Sequence, residues 1–124
     1  MNKKTILITG SNGLLGQKLT DLLLQDNQYN FIATGKGANR HTNQEITYSQ
    51  LDITDKTDVN RVLLEHKPDF VINTAAMTNV DACESDKEGC WLLNVTAVKY
   101  LLTASEKHQS HFIHLSTDFI FDGE

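Results

Sequence analysis

Short apolar runs and helical stripes alternate along the chain. Thr5-Ile6-Leu7-Ile8-Thr9 is a run closed by Gly10, the pattern of a buried strand. Leu15, Leu19, Leu22 and Leu23 then return at helical intervals and predict an amphipathic helix. Phe31-Ile32-Ala33-Thr34 predicts a second strand ended by Gly35, and the polar stretch 36–45 a loop. Ile46 to Leu51 reads as a third strand. Asp55 and Asp58 open a helix carrying Val59, Val62 and Leu63, which Pro68 stops. Phe70-Val71-Ile72 is a fourth strand. Trp91, Val95, Val98 and Leu102 mark a long helix, and Phe112-Ile113-His114-Leu115 a fifth strand. Strands alternating with helices call for parallel pairing through right-handed crossovers. The expected class is therefore α/β with a doubly wound parallel sheet, and ligands bind at the carboxyl ends of such strands.

At 124 residues the chain has the size of one domain or part of one. A net charge of −5 gives no electrostatic ground for expecting nucleic acid or an anionic membrane as partner. An anionic cofactor would have to be held by local geometry and a few placed cations. The apolar stretch after Met1-Asn2-Lys3-Lys4 is too short for a signal peptide or a membrane span, so a cytoplasmic protein is expected. Cys83 and Cys90 fall seven positions apart in what reads as one helical region, which argues against a disulfide framework and suits a reducing compartment. With no local His or basic partner to activate a thiolate, both are expected to be inert thiols.

The chemistry begins at the first turn, Thr9-Gly10-Ser11-Asn12-Gly13-Leu14-Leu15-Gly16. A strand precedes it and a leucine-striped helix follows. Gly10 allows a tight turn, Gly13 lets backbone amides approach a pyrophosphate, and Gly16 lets the helix pack closely on the strand. The free amides and dipole at the helix start favour negative charge, so residues 10–16 are the candidate dinucleotide site. An acid roughly 20 positions past the glycines would bind the ribose 2′-hydroxyl of NAD. Gly35 and Lys36 stand there instead. Lys36, with Arg40 as second candidate, points to NADP(H), with NADH the alternative.

The spacing Gly-x-x-Gly-x-x-Gly resembles the extended branch of the short-chain dehydrogenase/reductase superfamily, which implies a Rossmann-like sheet in the order 3-2-1-4-5. Later segments are similar to the dTDP-4-dehydrorhamnose reductase family within it. Asp52 and Ile53 match that family's adenine-contacting pair, while Asp55 reads as a helix cap. Asn73-Thr74-Ala75-Ala76-Met77-Thr78, continued by Val80, Asp81 and Glu84, resembles a stretch that lies along the cofactor. Met77 departs from it, since an aromatic residue or His is usual there. Asn94 matches an Asn that helps organise the active site. Ser116-Thr117-Asp118-Phe119-Ile120-Phe121-Asp122-Gly123 is the most specific segment. The resemblance implies that Thr117 hydrogen-bonds the reacting sugar carbonyl, with Ser116 and Asp118 as supports near the nicotinamide.

The family's proton donor, a Tyr followed four residues later by Lys, has no match: Tyr29, Tyr48 and Tyr100 all precede the fifth strand. Residues 1–124 are thus expected to be the cofactor-binding domain of a larger enzyme, with later strands, the substrate lobe and activity absent from them, and with an open edge at strand five. The resemblance implies NADPH-dependent reduction of dTDP-4-dehydro-L-rhamnose, a nucleotide-sugar substrate and, for the parent protein, a homodimer. A sugar-nucleotide epimerase or dehydratase of the same superfamily, or a non-catalytic dinucleotide-binding regulatory subunit, are the alternatives. No metal is expected: His111 and His114 point to opposite faces of a strand, away from a site shared with His108. Trp91 is expected at a helix–sheet contact, and Asp81, Glu84, Asp86 and Glu88 at a solvated helix start.

Overall fold

The computed structural model describes residues 3–26, 28–38, 46–74 and 84–114, apart from the side chains of Leu14, Leu93 and Asn94. Five strands, β1 (Lys4–Thr9), β2 (Tyr29–Gly35), β3 (Tyr48–Gln50), β4 (Phe70–Asn73) and β5 (His111–His114), form one sheet in the order β3-β2-β1-β4-β5. Every neighbouring pair is parallel, the arrangement the alternating pattern predicts. The helices are α1 (Leu14–Gln25), α2 (Lys56–His66), α3 (Lys87–Trp91) and α4 (Ala97–Lys107), with a π-helical turn at Leu92–Thr96 joining the last two.

β1 is buried on both faces, with Leu7 and Ile8 fully enclosed. On one face Leu7 and Val71 meet Val59, Val62 and Leu63 of α2 and Ala97, Leu101 and Ala104 of α4. Leu51 and Ile53 complete this core, with Tyr100 and Phe112 packed against it. Strand alternation sends Ile6 and Ile8 to the other face, and α1 packs against β1 and β2. Asp55 caps α2 as expected, accepting from the amides of Thr57 at 3.0 Å and Asp58 at 3.3 Å. Lys67 ends that helix in a left-handed conformation, φ 47°, just before Pro68.

Three expectations are corrected. On α1 the buried positions are Gly16 and Thr20, whereas Leu22 is 63% exposed. On α4 the buried stripe is Ala97, Leu101, Ala104 and Ser105, leaving Leu102 and Trp91 exposed. On α1 small residues take the buried face because the helix start lies against the Gly10–Ser11 backbone, whereas on α4 two alanines and a serine share that face with Leu101. The π turn adds a residue to one turn and so rotates Trp91 out of phase with α4. Finally, Cys90 is disulfide-bonded, not a free thiol; Cys83, the chain's other cysteine, lies outside the described residues. One continuous helix would have set the two about 10 Å apart, beyond disulfide reach. Helical structure is interrupted at Asp86, whose side chain instead caps α3 by accepting from the Gly89 amide at 2.9 Å.

Candidate functional site

The first strand end is held from both sides. The Ser11 amide donates to the Thr34 carbonyl of β2 at 2.9 Å. Beyond β4, the Thr74 hydroxyl donates to the carbonyls of Thr9 at 2.7 Å and Gly10 at 3.1 Å. Between these ties Gly10 adopts φ 75°, a conformation that favours glycine, and the Gly13 amide closes back on the Gly10 carbonyl at 3.1 Å. The turn delivers the chain directly into α1.

Gly16 is required by packing: a Cβ there would stand 2.2 Å from the Gly10 oxygen and 2.7 Å from Ser11 Cα. Gly13 is different. Among the described residues a Cβ at Gly13 would meet only the Gly10 oxygen, at an ordinary 3.5 Å, so their packing does not demand glycine there. The α1 start has no acidic residue in its first turn and, among the described residues, no side-chain cap, so its early amides and positive dipole end suit a ligand. Ser11 is buried, yet its hydroxyl finds no hydrogen-bond partner among the described residues. A buried hydroxyl with no partner carries a desolvation cost that a bound acceptor would relieve. These features fit the phosphates of a dinucleotide. Leu15 is half-buried beside them.

The next strand ends bring Lys36 and Asp52 to the same edge. Lys36 is exposed immediately after β2, and the Leu51 amide ties the end of β3 to the Gly35 carbonyl at 2.8 Å. Asp52 accepts from the Thr54 hydroxyl at 2.5 Å and the Thr54 amide at 3.0 Å. The Thr54 hydroxyl is the main reason its carboxyl lies below the usual aspartate range; partial burial opposes this, while the Thr54 amide and the charge of Lys36 add to it. Ile53 is buried in the core and offers a ligand little beyond its backbone.

A row of polar residues crosses the sheet at this edge: Thr34, Thr9, Asn73 and His114 occupy one register position on four adjacent strands. The Thr9 hydroxyl donates to Asn73 Oδ1. Asn73 Nδ2 lies 3.0 Å from His114 Nδ1, and an amide nitrogen can only donate, so Nδ1 accepts and the neutral ring carries its proton on Nε2. Partial burial holds the His114 pKa below its ordinary value, in keeping with that neutral form. His111 faces the other way, its ring edge-on to Phe70 with centroids 5.9 Å apart. His108 Nε2 lies 3.4 Å from Asn60 Oδ1. Among the described residues no group of three or more His, Cys, Asp or Glu side chains could hold a metal ion, and no helix is long and apolar enough to cross a membrane.

The fold thus brings Gly10, Ser11, Asn12, Gly13, Leu15, Gly16, Lys36 and Asp52 to neighbouring strand ends. The backbones of Leu14 and Asn94 open α1 and lie in the π turn, a helix irregularity frequent at functional sites. Arg40, Ala75, Ala76, Met77, Ser116, Thr117 and Asp118 lie outside the described residues. Sequence reasoning missed the Thr9–Asn73–His114 row and the contacts of Tyr48. A signal for the row was present, since each member ends a strand; Tyr48 could be found only through the register of β3 on β2.

The sequence family described as RmlD substrate binding domain matches residues 4–124. The dTDP-4-dehydrorhamnose reductase of Aggregatibacter actinomycetemcomitans is 37% identical over 118 residues, covering 95% of this chain and 36% of that protein. The chain therefore spans little more than a third of the length of that relative. Among solved structures, a hypothetical dTDP-4-dehydrorhamnose reductase from Sulfolobus tokodaii superposes with a TM-score of 0.76 at 37% identity, over 98% of this chain and 41% of that one. The dTDP-4-dehydrorhamnose reductase of Bacillus anthracis, solved in complex with NADP, gives 0.75 at 27% identity, over 90% of this chain and 35% of that one. With a parallel sheet in the order 3-2-1-4-5 and a family match across nearly its whole length, this chain belongs to the RmlD substrate binding domain family, whose members among its relatives are sugar-nucleotide reductases.

Proposed function

We propose that the protein is an NADPH-dependent reductase of a nucleotide-linked 4-keto sugar, converting dTDP-4-dehydro-L-rhamnose to dTDP-L-rhamnose in the cytoplasm. Residues 1–124 form its dinucleotide-binding domain. The observation that carries this reading is the first turn: among the described residues, a helix start without a side-chain cap, a glycine at residue 13 that packing does not demand, and a buried Ser11 hydroxyl without a partner. Gly10 to Gly16 hold the pyrophosphate through backbone amides. Lys36, with Arg40 from the following loop, meets the 2′-phosphate, and Asp52 with the Ile53 backbone receives the adenine. Ala75, Ala76 and Met77, following β4, line the path towards the nicotinamide, and Ser116 and Asn94 support it.

NADPH supplies the hydride. Thr117 donates a hydrogen bond to the sugar carbonyl oxygen and so stabilises the charge that develops there. Protonation of that oxygen falls to a Tyr and Lys pair from outside residues 1–124. The test is direct: titrate the full-length protein with NADPH and NADH, then follow consumption of NADPH on adding dTDP-4-dehydro-L-rhamnose. Tighter NADPH binding with turnover is expected. Binding of neither nucleotide by folded protein would sink the reading, and nucleotide binding without turnover would leave the regulatory alternative.

A further inference from the structure

The end of β2 meets the glycine turn and β3 at one point. Tyr48 opens β3, in register with Ala33 of β2. Its hydroxyl donates to the Gly37 carbonyl at 2.5 Å and accepts from Asn12 Nδ2 at 3.2 Å. Asn12 Nδ2 also donates to the Ala38 carbonyl at 3.0 Å. One hydroxyl and one amide therefore tie residues 37 and 38 to the glycine turn.

Gly35 supplies the space for this tie. A Cβ there would stand 2.7 Å from Asn12 Nδ2 and 2.7 Å from the Tyr48 oxygen. A side chain at residue 35, such as a carboxylate of the kind that accepts from a ribose 2′-hydroxyl, would have to displace the ends of the Asn12 and Tyr48 side chains and so break the tie. Lys36 is then fixed on both sides, by the β2 ladder at Gly35 and by the Tyr48 bond at Gly37. Its charge is felt at Asp52, across the same edge.

We infer that Tyr48 is a positioning residue for cofactor selectivity: by tying residues 36–38 to Asn12 it holds Lys36 where its ammonium meets a 2′-phosphate. The inference rests on the NADP(H) reading above. Tyr48 acts through Lys36 and touches no phosphate itself. The tie is preorganisation, so its loss costs affinity where the held group makes a contact and little elsewhere.

The test measures Kd for NADPH and NADH in the full-length wild type, Tyr48→Phe, Lys36→Ala and the double variant, with a thermal melt to confirm folding. Tyr48→Phe keeps the ring and removes only the hydroxyl. It should weaken NADPH about five- to tenfold, the loss of roughly one hydrogen bond, and NADH by less than about twofold. The double variant should bind NADPH no more weakly than Lys36→Ala alone, because the two residues act as one unit. Gly35→Ala, which forces a methyl between Asn12 and Tyr48, should erase the same preference and stands in if Tyr48→Phe does not fold. Proportional weakening of both nucleotides, or losses that multiply in the double variant, would overturn the role of Tyr48 alone. A wild type with no preference for NADPH would overturn the NADP(H) reading and this inference with it.

Discussion

Gly16→Ala tests the close approach of α1 to β1. The new methyl carbon would begin 2.2 Å from the Gly10 oxygen, 2.7 Å from Ser11 Cα and 2.9 Å from the Gly10 carbonyl carbon, all of them backbone atoms. No rotamer change relieves such a contact. Restoring an ordinary separation of about 3.4 Å requires α1 to move roughly 1 Å away from the turn. Overpacking of this kind costs about 1–3 kcal/mol, against which the better helix propensity of alanine returns up to about 1 kcal/mol. A net loss of about 1–2 kcal/mol is expected in urea denaturation. The displaced helix start should also weaken NADPH binding about tenfold or more. Gly13→Ala is the companion measurement. Its methyl meets the Gly10 oxygen at an ordinary 3.5 Å, and alanine for glycine at a helix N-cap costs on the order of 0.5–1 kcal/mol. Stability should therefore fall less than in Gly16→Ala while NADPH binding falls as well, since the methyl intrudes where the pyrophosphate lies. Unchanged stability in Gly16→Ala would refute the packing argument, and unchanged NADPH binding in Gly13→Ala would refute the placing of phosphate over residue 13.

Three further outcomes follow from the same edge and its neighbours. Because burial lowers the pKa of folded His114 below 6.5, the unfolded chain binds the proton more readily; stability is full above that value and declines as pH falls below it. His114→Phe should flatten this acid slope in thermal melts taken from neutral pH to about pH 5, and an unchanged slope would remove His114 from the account. Asp52→Ala removes the acceptor for both Thr54 bonds, should cost about 1 kcal/mol, and should weaken binding of adenine nucleotides; full affinity would remove Asp52 from the site. Alkylation of the denatured, unreduced protein followed by peptide mapping should leave Cys90 unlabelled, and a labelled Cys90 would refute its disulfide.

The alternation of strands and helices and the phosphate turn were legible because each rests on local pattern, whereas the strand order followed from the family resemblance. Ile6–Ile8 is apolar throughout, as the middle of a strand buried on both faces must be, and Gly10, Gly13 and Gly16 fall at the spacing a strand-to-helix phosphate turn needs. The helix faces were misread for one reason. A stripe of large residues suggested Leu22, Trp91 and Leu102 as buried contacts, but the buried faces are Gly16 and Thr20 on α1 and Ala97, Leu101, Ala104 and Ser105 on α4. Hydrophobic periodicity registers size, whereas closeness of approach depends on a partner surface that no single segment reveals. The π turn at Leu92–Thr96 likewise leaves no mark in the pattern, yet it rotates one half of a helix against the other. The disulfide was missed because the interruption at Asp86 could not be told from a continuous acidic helix start. The row Thr9–Asn73–His114 depended on register, which becomes visible only when strands distant in sequence are laid side by side.

The central position of β1 also sets an order in time. Its partners on β2 are near in sequence, Ile8 and Thr34 being 26 positions apart, whereas Thr9 and Asn73 are separated by 64. Closing the shorter loop loses less chain entropy, so β1, α1 and β2 should assemble first and β4 should join later. That first unit already contains the Ser11–Thr34 tie and the whole glycine turn. Pulse-labelled hydrogen exchange during refolding would read the sequence of events: amides of β1 and β2 protected before those of β4 and β5, with simultaneous protection counting against it. A nascent chain would then shape its phosphate turn before the strand that completes the polar row has left the ribosome.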